Sequence, residues 1–355
     1  MSVNLHNPAI DAGRPQDKGH IRNAARRSPV MFMFILTAWV AAIIWFGPRL
    51  VQVLDIAQGP VSSFALHYFV VFIPVAWLYG IYNLSVVLFA LVDRVLPKRE
   101  HALGAADTPV AVLYTTCNDF VETSALSCAK LDYEHFRVYI LDDSSDPEIM
   151  GKIDRFAARY DHVQVVRRSN RVGFKAGNLN HALGNVVEEP LFVIADSDEI
   201  LPRDFLRVLV PRINGDPDCG FIQANHRCLQ RGTKLQRDMC HGVDVHWKWY
   251  QPLRNRFGFV MFLGHGAILR RNCWQMVGGF PEVVSEDLAY AIAIREQGYY
   301  GTFAEDVTCF EEFPETVRSF RVRHVKWTRG TCEFLHRYGL DLLRSNRMPW
   351  SEKLD

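Results

Sequence analysis

Two long stretches near the start of the chain contain no charged residue. They cover residues 30–46 and 64–92, and aliphatic and aromatic side chains dominate both. A helix needs about 20 apolar residues to cross a bilayer core, so the first stretch is just long enough and the second has length to spare for tilt. The pattern predicts two membrane-spanning helices within residues 28–96. A cleaved signal peptide is the alternative for the first, although no small-residue cleavage site follows it.

From residue 105 onward, short apolar runs alternate with amphipathic stretches. The runs cover residues 109–116, 138–141, 163–166 and 191–195, and residues 148–160 between them have helical character. Alternating β and α units are typical of an open, mostly parallel α/β sheet. We therefore predict an α/β domain over residues 105–312. The remaining residues, 313–355, predict amphipathic helices that lie on a membrane surface.

Basic residues indicate how the two apolar helices are oriented. Five lie in the polar segment 1–27, which we predict to be disordered, and Arg94, Lys98 and Arg99 follow the second helix. Because cytosolic flanks carry the excess of Lys and Arg, this pattern predicts a multi-pass protein of the inner, plasma membrane with its α/β domain in the cytosol. The whole chain has 40 basic and 39 acidic residues and a net charge of +1, so no strong field favours a nucleic-acid partner.

The eight cysteines are scattered along the chain. No pair has the spacing of a zinc site or of a C-x-x-C redox motif. We therefore predict reduced, mostly buried thiols, as is usual in a cytosolic domain.

Carboxylates follow two of the apolar runs, at the expected ends of strands. Asp196 and Asp198 come directly after residues 191–195. Side chains at positions i and i+2 of a strand face the same way, so both carboxylates can meet one cation. Oxygen ligands of this kind suit Mg²⁺ or Mn²⁺, which would bridge two phosphates. The alternative is a chance pair of acids in a loop.

Asp142 and Asp143 follow another run, and Lys175 lies in a loop between strand ends. The two carboxylates can accept hydrogen bonds from a base or a ribose, and Lys175 can reach a phosphate. The alternatives are a helix N-cap for the acids, which Asp favours, and an ordinary basic loop for the lysine.

Two further groups come later in the chain. Glu286 and Asp287 begin a helical stretch, where acids are favourable in the first turn anyway; the functional interpretation is a general base. Arg323, Lys326 and Trp327 can provide cations for a diphosphate and a flat platform for a sugar. A basic amphipathic helix on the membrane is the alternative for that group, and both interpretations can hold together.

The order of these motifs resembles the family-2 glycosyltransferases of the cellulose synthase, hyaluronan synthase and chitin synthase type over residues 109–330. The family's Asp-Asp, Lys-Ala-Gly-Asn-Leu-Asn, D-x-D and Glu-Asp motifs match residues 142–143, 175–180, 196–198 and 286–287. Residues 262–271 are similar to its acceptor-site stretch. Its final Gln-x-x-Arg-Trp is Arg323-x-x-Lys326-Trp327 here, and Arg and Lys are not equivalent at a bidentate site.

The resemblance implies a GT-A fold, a Rossmann-like mixed sheet, and an inverting transfer from a UDP-sugar, UDP-glucose first, with Mg²⁺ or Mn²⁺ bound by Asp196 and Asp198. It implies that Asp287 is the catalytic base. The residues that it places in substrate binding are Thr115, Asp142, Asp143, Lys175, Asn178, His265, Glu286, Arg323, Lys326 and Trp327.

Three functions remain open at this point. The first is a synthase that extends a polysaccharide at the inner membrane face, with a glycan acceptor, membrane lipid and further subunits as partners. The second is an enzyme that adds one sugar to a lipid or a short acceptor, and the third is a catalytically weak subunit that binds a nucleotide sugar. Polymerases of this type continue into more membrane helices, so a chain that ends at Asp355 is expected to be a partial polypeptide or an enzyme that does not export its product alone.

Overall fold

Two long helices lead into the folded domain. The structure is a computed structural model that describes residues 27–97, 101–229 and 232–355, so the predicted disorder of residues 1–26 lies outside the described residues. Helix α1 covers Val30–Gln52, a short 3-10 turn follows at Val53–Ile56, and helix α2 covers Pro60–Asp93. Gly59, with φ of 85°, and Pro60 in the first turn set the start of α2. By length and composition, both helices could cross a membrane, as predicted.

The base of α2 docks on the domain through polar and aromatic contacts. The Tyr250 hydroxyl donates a hydrogen bond to Asn83 Oδ1 at 2.7 Å, and Arg256 pairs with Asp93 at 2.8 Å. The rings of Phe89 and Phe257 meet edge to face at 5.3 Å. These contacts fix the two apolar helices to one side of the domain.

The domain is built on one mixed sheet of eight strands. The strands, in chain order, are β1 Val110–Thr116, β2 Phe136–Asp142, β3 Val163–Val166, β4 Leu191–Asp196, β5 Glu199–Ile200, β6 Cys219–Cys228, β7 Ala267–Arg270 and β8 Tyr300–Glu311. Their order across the sheet is β3-β2-β1-β4-β7-β6-β8-β5. Strands β1 to β4 are parallel, β7 is antiparallel to both neighbours, and β6 and β8 are parallel. The predicted mixed α/β sheet is confirmed.

Helices cover both faces of the sheet. They are α3 Glu122–Ala129, α4 Pro147–Ala157, α5 Phe174–Asn185, α6 Phe205–Gly215, α7 Lys234–Val245, α8 Gln251–Phe257, α9 Arg271–Val277 and α10 Glu286–Glu296, with a π-helical turn at His246–Tyr250. Strands β1 and β4 are buried on both faces, as central parallel strands are, because their alternating side chains enter two different cores. The carboxyl ends of these strands carry Thr115, Thr116 and Asp196.

Two helices close the chain. Helix α11, Val317–Arg344, begins with a reciprocal cap between Thr316 and Ser319, and α12 covers Trp350–Leu354. The last turn packs onto the domain, where the buried Arg295 guanidinium donates two hydrogen bonds to Glu352 at 2.7 and 3.2 Å.

Loss of one member of this buried pair is expected to destabilise the fold. Arg295→Met leaves the Glu352 carboxylate buried without its cation, which costs about 3–5 kcal/mol of unfolding free energy. Chemical unfolding in detergent, followed by near-ultraviolet circular dichroism, measures the change. Arg347→Met, at an exposed position, is the control and is expected to stay within about 0.5 kcal/mol of the unchanged protein. Equal stability of the two variants would contradict the assigned role of the pair.

The expectation of reduced thiols is wrong for two cysteines. Cys228 at the end of β6 and Cys240 in α7 form a disulfide, with 5.8 Å between their Cα atoms. The bond joins a strand to the helix that follows it, a proximity that spacing along the chain does not reveal. The other six cysteines are free, and four of those are buried.

Candidate active site

The predicted polar residues meet where the parallel strands end. Thr115 of β1 stands beside Asp196 of β4, and Thr116 stands beside Asp142 of β2. The Thr115 hydroxyl donates a hydrogen bond to Asp196 Oδ1 at 2.9 Å. Ligands of open α/β sheets bind beyond these strand ends, so the register alone places the acids in a cleft position.

Asp196 and Asp198 are set beside cations of the chain. The Lys175 ammonium donates hydrogen bonds to Asp196 Oδ1 and, at 3.1 Å, to the Gly264 carbonyl. Arg323 Nη2 is 4.0 Å from Asp198 Oδ2. Burial raises the pKa of Asp198 to about 6, and the nearby Asp196 adds to the shift. Burial acts in the same direction on Asp196, but the charges of Lys175 and His265 and the hydrogen bond from Lys175 together outweigh it and hold the pKa of that carboxyl below its usual value.

Glu286 and Asp287 occupy the first turn of α10. The Leu288 N–H donates to Asp287 Oδ1 at 2.8 Å, and Asp287 Oδ2 lies 3.4 Å from where a Cβ on Gly264 would stand. Gly264 has φ of 84°, a backbone conformation that favours glycine, so the turn itself requires this residue. Burial and then the Asp287 charge raise the pKa of Glu286 to about 7, and burial also raises the pKa of Asp287.

Lys175 links the Asp196 side of the site to the Asp287 side. This lysine donates hydrogen bonds to both Asp196 and the Gly264 carbonyl, and Asp287 lies beside Gly264. A carboxylate with a raised pKa beside a cation and a pair of oxygen donors is the arrangement expected of a general base near an anionic leaving group.

Asp142 and Asp143 are both engaged by arginines. Asp142, whose side chain is fully buried, accepts hydrogen bonds from the Ser144 N–H at 2.8 Å and from Arg167 Nε at 2.7 Å. Asp143 accepts two bonds from Arg168, at 2.9 and 2.7 Å. The buried Asp142 therefore holds Arg167 and the turn at Ser144 in place. Asp143 is slightly more exposed than Asp142.

Two of the predicted substrate-binding residues are turned into the protein. Asn178 is buried and donates a hydrogen bond to the Leu141 carbonyl at 3.2 Å, which ties α5 to the end of β2. The His265 ring points at two acids, with Nδ1 3.3 Å from Glu199 and Nε2 3.7 Å from Glu311. The structure thus gives both side chains contacts within the chain.

Arg323, Lys326 and Trp327 lie on the second and third turns of α11. The Arg323 guanidinium stacks between two rings, 5.3 Å from Phe313 and 5.1 Å from Trp327. Trp327 is 48% exposed, and Lys326 is exposed as well. The pattern matches a platform held in orientation by a stacked cation.

Several residues of this region carry no motif and were missed by the sequence reasoning. They are Arg167, Arg168, Glu199, His226, Cys309 and Glu311. Glu199, His226 and Cys309 offer ligand atoms within 4.8 Å of one another. The available signals were charged residues at strand ends, since Arg167 and Arg168 follow β3 and Glu311 ends β8.

Comparison with known proteins finds glycosyltransferases among the similar sequences. Residues 191–354 match the family model described as glycosyl transferase family group 2. Glucomannan 4-beta-mannosyltransferase 2 of Arabidopsis thaliana is 26% identical over 269 residues, which are 72% of this chain and 50% of that protein. Glucomannan 4-beta-mannosyltransferase 1 of Oryza sativa subsp. japonica is 25% identical over 273 residues, 73% of this chain and 52% of that protein. The chain spans about half the length of these curated relatives.

A solved structure shares the fold. It is a mannosyltransferase from Pyrobaculum calidifontis in complex with GDP-Man and Mn²⁺, with a TM-score of 0.58, 21% identity and coverage of 75% of this chain and 74% of that one. The chain therefore has a GT-A-like fold, a mixed α/β sheet that it shares with this glycosyltransferase. The sequence matches support a glycosyltransferase similar to family 2 of the cellulose synthase type.

Proposed function

We propose that this protein transfers a hexosyl residue from a nucleoside diphosphate sugar to a growing β-linked glycan, with inversion, at the cytosolic face of the plasma membrane. The observation that supports this most directly is the bridge from Asp196 through Lys175 to Gly264, against which Asp287 packs. It supports a leaving-group site and a general base that lie close enough to act on one sugar. The basic flanks of α1 and α2 support the cytosolic orientation.

In the proposed reaction the acceptor hydroxyl attacks the anomeric carbon from the side opposite the diphosphate. A new glycosidic C–O bond forms, the bond to the phosphate oxygen breaks with its electron pair, and Asp287 takes the hydroxyl proton. Attack from the opposite side inverts the anomeric centre. Asp287 suits this step because its raised pKa makes it a stronger base than an exposed aspartate.

The leaving diphosphate is assigned to the cations beside Asp198. Lys175 and Arg323 approach the two acids from different elements, α5 and α11, and present ammonium and guanidinium donors to the same space. Asp196 and Asp198 offer the oxygen donors that Mg²⁺ and Mn²⁺ prefer, and such an ion would supply positive charge for the departing phosphates.

The acceptor is assigned to the exposed face of Trp327, which offers a flat apolar surface for a sugar ring. The donor has two candidates. UDP-glucose follows from the resemblance of the motifs, and GDP-mannose follows from the names of the relatives and of the similar structure. Both donors present the same diphosphate to Lys175 and Arg323.

Nucleotide release by the purified protein in lipid nanodiscs tests the proposal. The panel contains UDP-glucose, UDP-N-acetylglucosamine, GDP-mannose and GDP-glucose, each with Mg²⁺ or Mn²⁺. Release with one donor, accompanied by a product that lengthens with time, supports polymer synthesis. A product one sugar longer than a short acceptor would favour the non-processive alternative. Nucleotide binding without release from any donor would contradict the proposal and favour a non-catalytic subunit.

A further inference from the structure

The buried carboxylate of Glu199 lies next to Asp196 and Asp198 and has no role in the reaction proposed above. Glu199 follows Asp198 in sequence, is fully buried, and begins the short edge strand β5. Its Oε1 lies 2.8 Å from His226 Nε2 and 3.3 Å from His265 Nδ1. Its Oε2 accepts a hydrogen bond from the Asp196 N–H at 3.4 Å. A buried charge is costly unless it is paired and bonded, so these partners hold it there.

The partners of Glu199 come from separate parts of the chain. His226 lies on β6, where its Nδ1 is 3.1 Å from the Ala224 carbonyl oxygen and its ring centroid is 4.4 Å from that of Trp247. His265 lies in the turn before β7. Glu199 thus joins the loop after β4 to the end of β6 and to that turn.

The residue after His265 is Gly266, and no side chain would fit there beside the Glu199–His226 pair. Gly266 has φ of 58°, and a Cβ there would stand 2.3 Å from His226 Nε2 and 2.4 Å from Glu199 Oε1. The Gly266 N–H donates to the Ile194 carbonyl at 2.8 Å, and its carbonyl accepts from the Ala224 N–H at 2.9 Å. Backbone hydrogen bonds therefore fix the turn on both sides, and the Glu199–His226 pair occupies the space beside it.

The same turn also contacts Lys175 and Asp287. Gly264 precedes His265, its carbonyl accepts from Lys175, and Asp287 packs against it. A shift of His265 would move this carbonyl, and with it the surface on which Asp287 rests.

We propose that Glu199 is a positioning residue, which links the metal-side loop to the base-side turn through His226 and His265 and so fixes Asp196 relative to Asp287. This inference deepens the proposed function and depends on it for the roles of those two acids. Glu199 contacts neither substrate nor metal in this arrangement.

The distance between Glu199 and His226 fits a hydrogen-bonded pair better than two ligands of one metal ion. Glu199, His226 and Cys309 form a compact donor group, but the Glu199–His226 separation of 2.8 Å is a hydrogen-bond distance. Two ligands of a tetrahedral zinc ion with bonds of about 2.0 Å stand about 3.3 Å apart. The imidazole N–H therefore bridges directly to the carboxylate.

Glu199→Gln tests the proposal because it keeps the shape and removes the charge. We expect kcat to fall by about 10–100-fold and the Mn²⁺ dissociation constant, measured by electron paramagnetic resonance without donor, to rise by a similar factor. The KM for acceptor is expected to stay within about twofold of the unchanged enzyme, since Trp327 is not touched. The double variant Glu199→Gln with His226→Gln is expected to lose little more than the single one, because residues of one network are not additive.

Glu352→Gln is the matched control, since it neutralises another buried carboxylate that pairs with a cation. It is expected to lower stability and leave Mn²⁺ affinity unchanged. Glu199→Gln with unchanged Mn²⁺ affinity and kcat would overturn the proposal, and so would stoichiometric zinc in the purified protein that Cys309→Ser removes. Weaker Mn²⁺ binding in the variant, with no turnover of any donor by the unchanged protein, would keep the positioning role and reject the proposed reaction instead.

Discussion

Asp287→Asn is expected to lower turnover by about 10³-fold, within the range of 10²–10⁴ that general-base catalysis contributes. That loss corresponds to about 4 kcal/mol of transition-state stabilisation. The amide keeps the size of the side chain and its contact with Gly264, but it cannot accept the acceptor proton. Donor binding, measured by isothermal titration with the nucleoside diphosphate, is expected to stay within about threefold of the unchanged enzyme.

The control for this substitution is Glu282→Gln, an exposed acid close to α10 in sequence. It is expected to leave turnover unchanged. If Asp287→Asn retained more than about a tenth of the turnover, the proton would have another acceptor and the assignment of Asp287 would be wrong. Loss of donor binding in Asp287→Asn would instead indicate a structural role for this turn.

A pH profile examines the same base independently. Asp287 must be ionised to accept a proton, and burial raises its pKa, so kcat/KM is expected to fall as the pH drops through that raised value. Burial and then the Asp287 charge raise the pKa of the neighbouring Glu286 to about 7, so this carboxyl carries only part of a negative charge at neutral pH. Glu286→Gln removes this like charge and is expected to move the acidic limb of the profile to lower pH. An unchanged limb would show that the two carboxyls do not interact.

Strands β1 to β4 could be predicted because neighbouring residues in the sequence form the pattern that marks each of them. Strands β1 to β4 are continuous apolar runs separated by helices, and the rule that ligands bind beyond strand ends drew attention to Asp142, Asp143 and Asp196. Strand β7 has only four residues and gains its place from antiparallel pairing with β4 and β6. No local pattern marks such a strand, because its partners are distant along the chain.

The chemistry of the site was predicted less completely than its position. Motif matching selected His265 as a substrate contact, whereas its ring faces Glu199 and Glu311. The direction of a side chain depends on the turn that carries it, here between two glycines with positive φ, and sequence alone does not fix that turn. The roles of the predicted site residues stay predictions that the variants above address.

Replacement of Asp196 by Asn is expected to lower turnover by at least about 10³-fold and to abolish Mn²⁺ binding at millimolar concentration, because one of two charged oxygen donors is lost. Chelation of divalent ions is expected to stop the unchanged enzyme, and added Mn²⁺ to restore it. Turnover and Mn²⁺ resonance measured on the same samples test both statements. Asp161→Asn, at an exposed position before β3, is the control and is expected to change neither.

Catalysis by the protein's own cations, without a metal ion, is the alternative to a metal-dependent reaction. Lys175 bonds Asp196, and Arg323 lies 4.0 Å from Asp198, so the chain itself supplies two positive charges at the proposed diphosphate site. If these charges sufficed for catalysis, chelation would leave turnover intact, while Lys175→Met would abolish it. If a divalent ion is required, Asp196→Asn is expected to stay inactive although it frees Lys175 from its partner, since Asp196 and Asp198 would hold the ion and one ammonium group would not supply the same charge. The response of the unchanged enzyme to chelation and to added Mn²⁺ therefore separates a metal-dependent transferase from one that relies on its own cations.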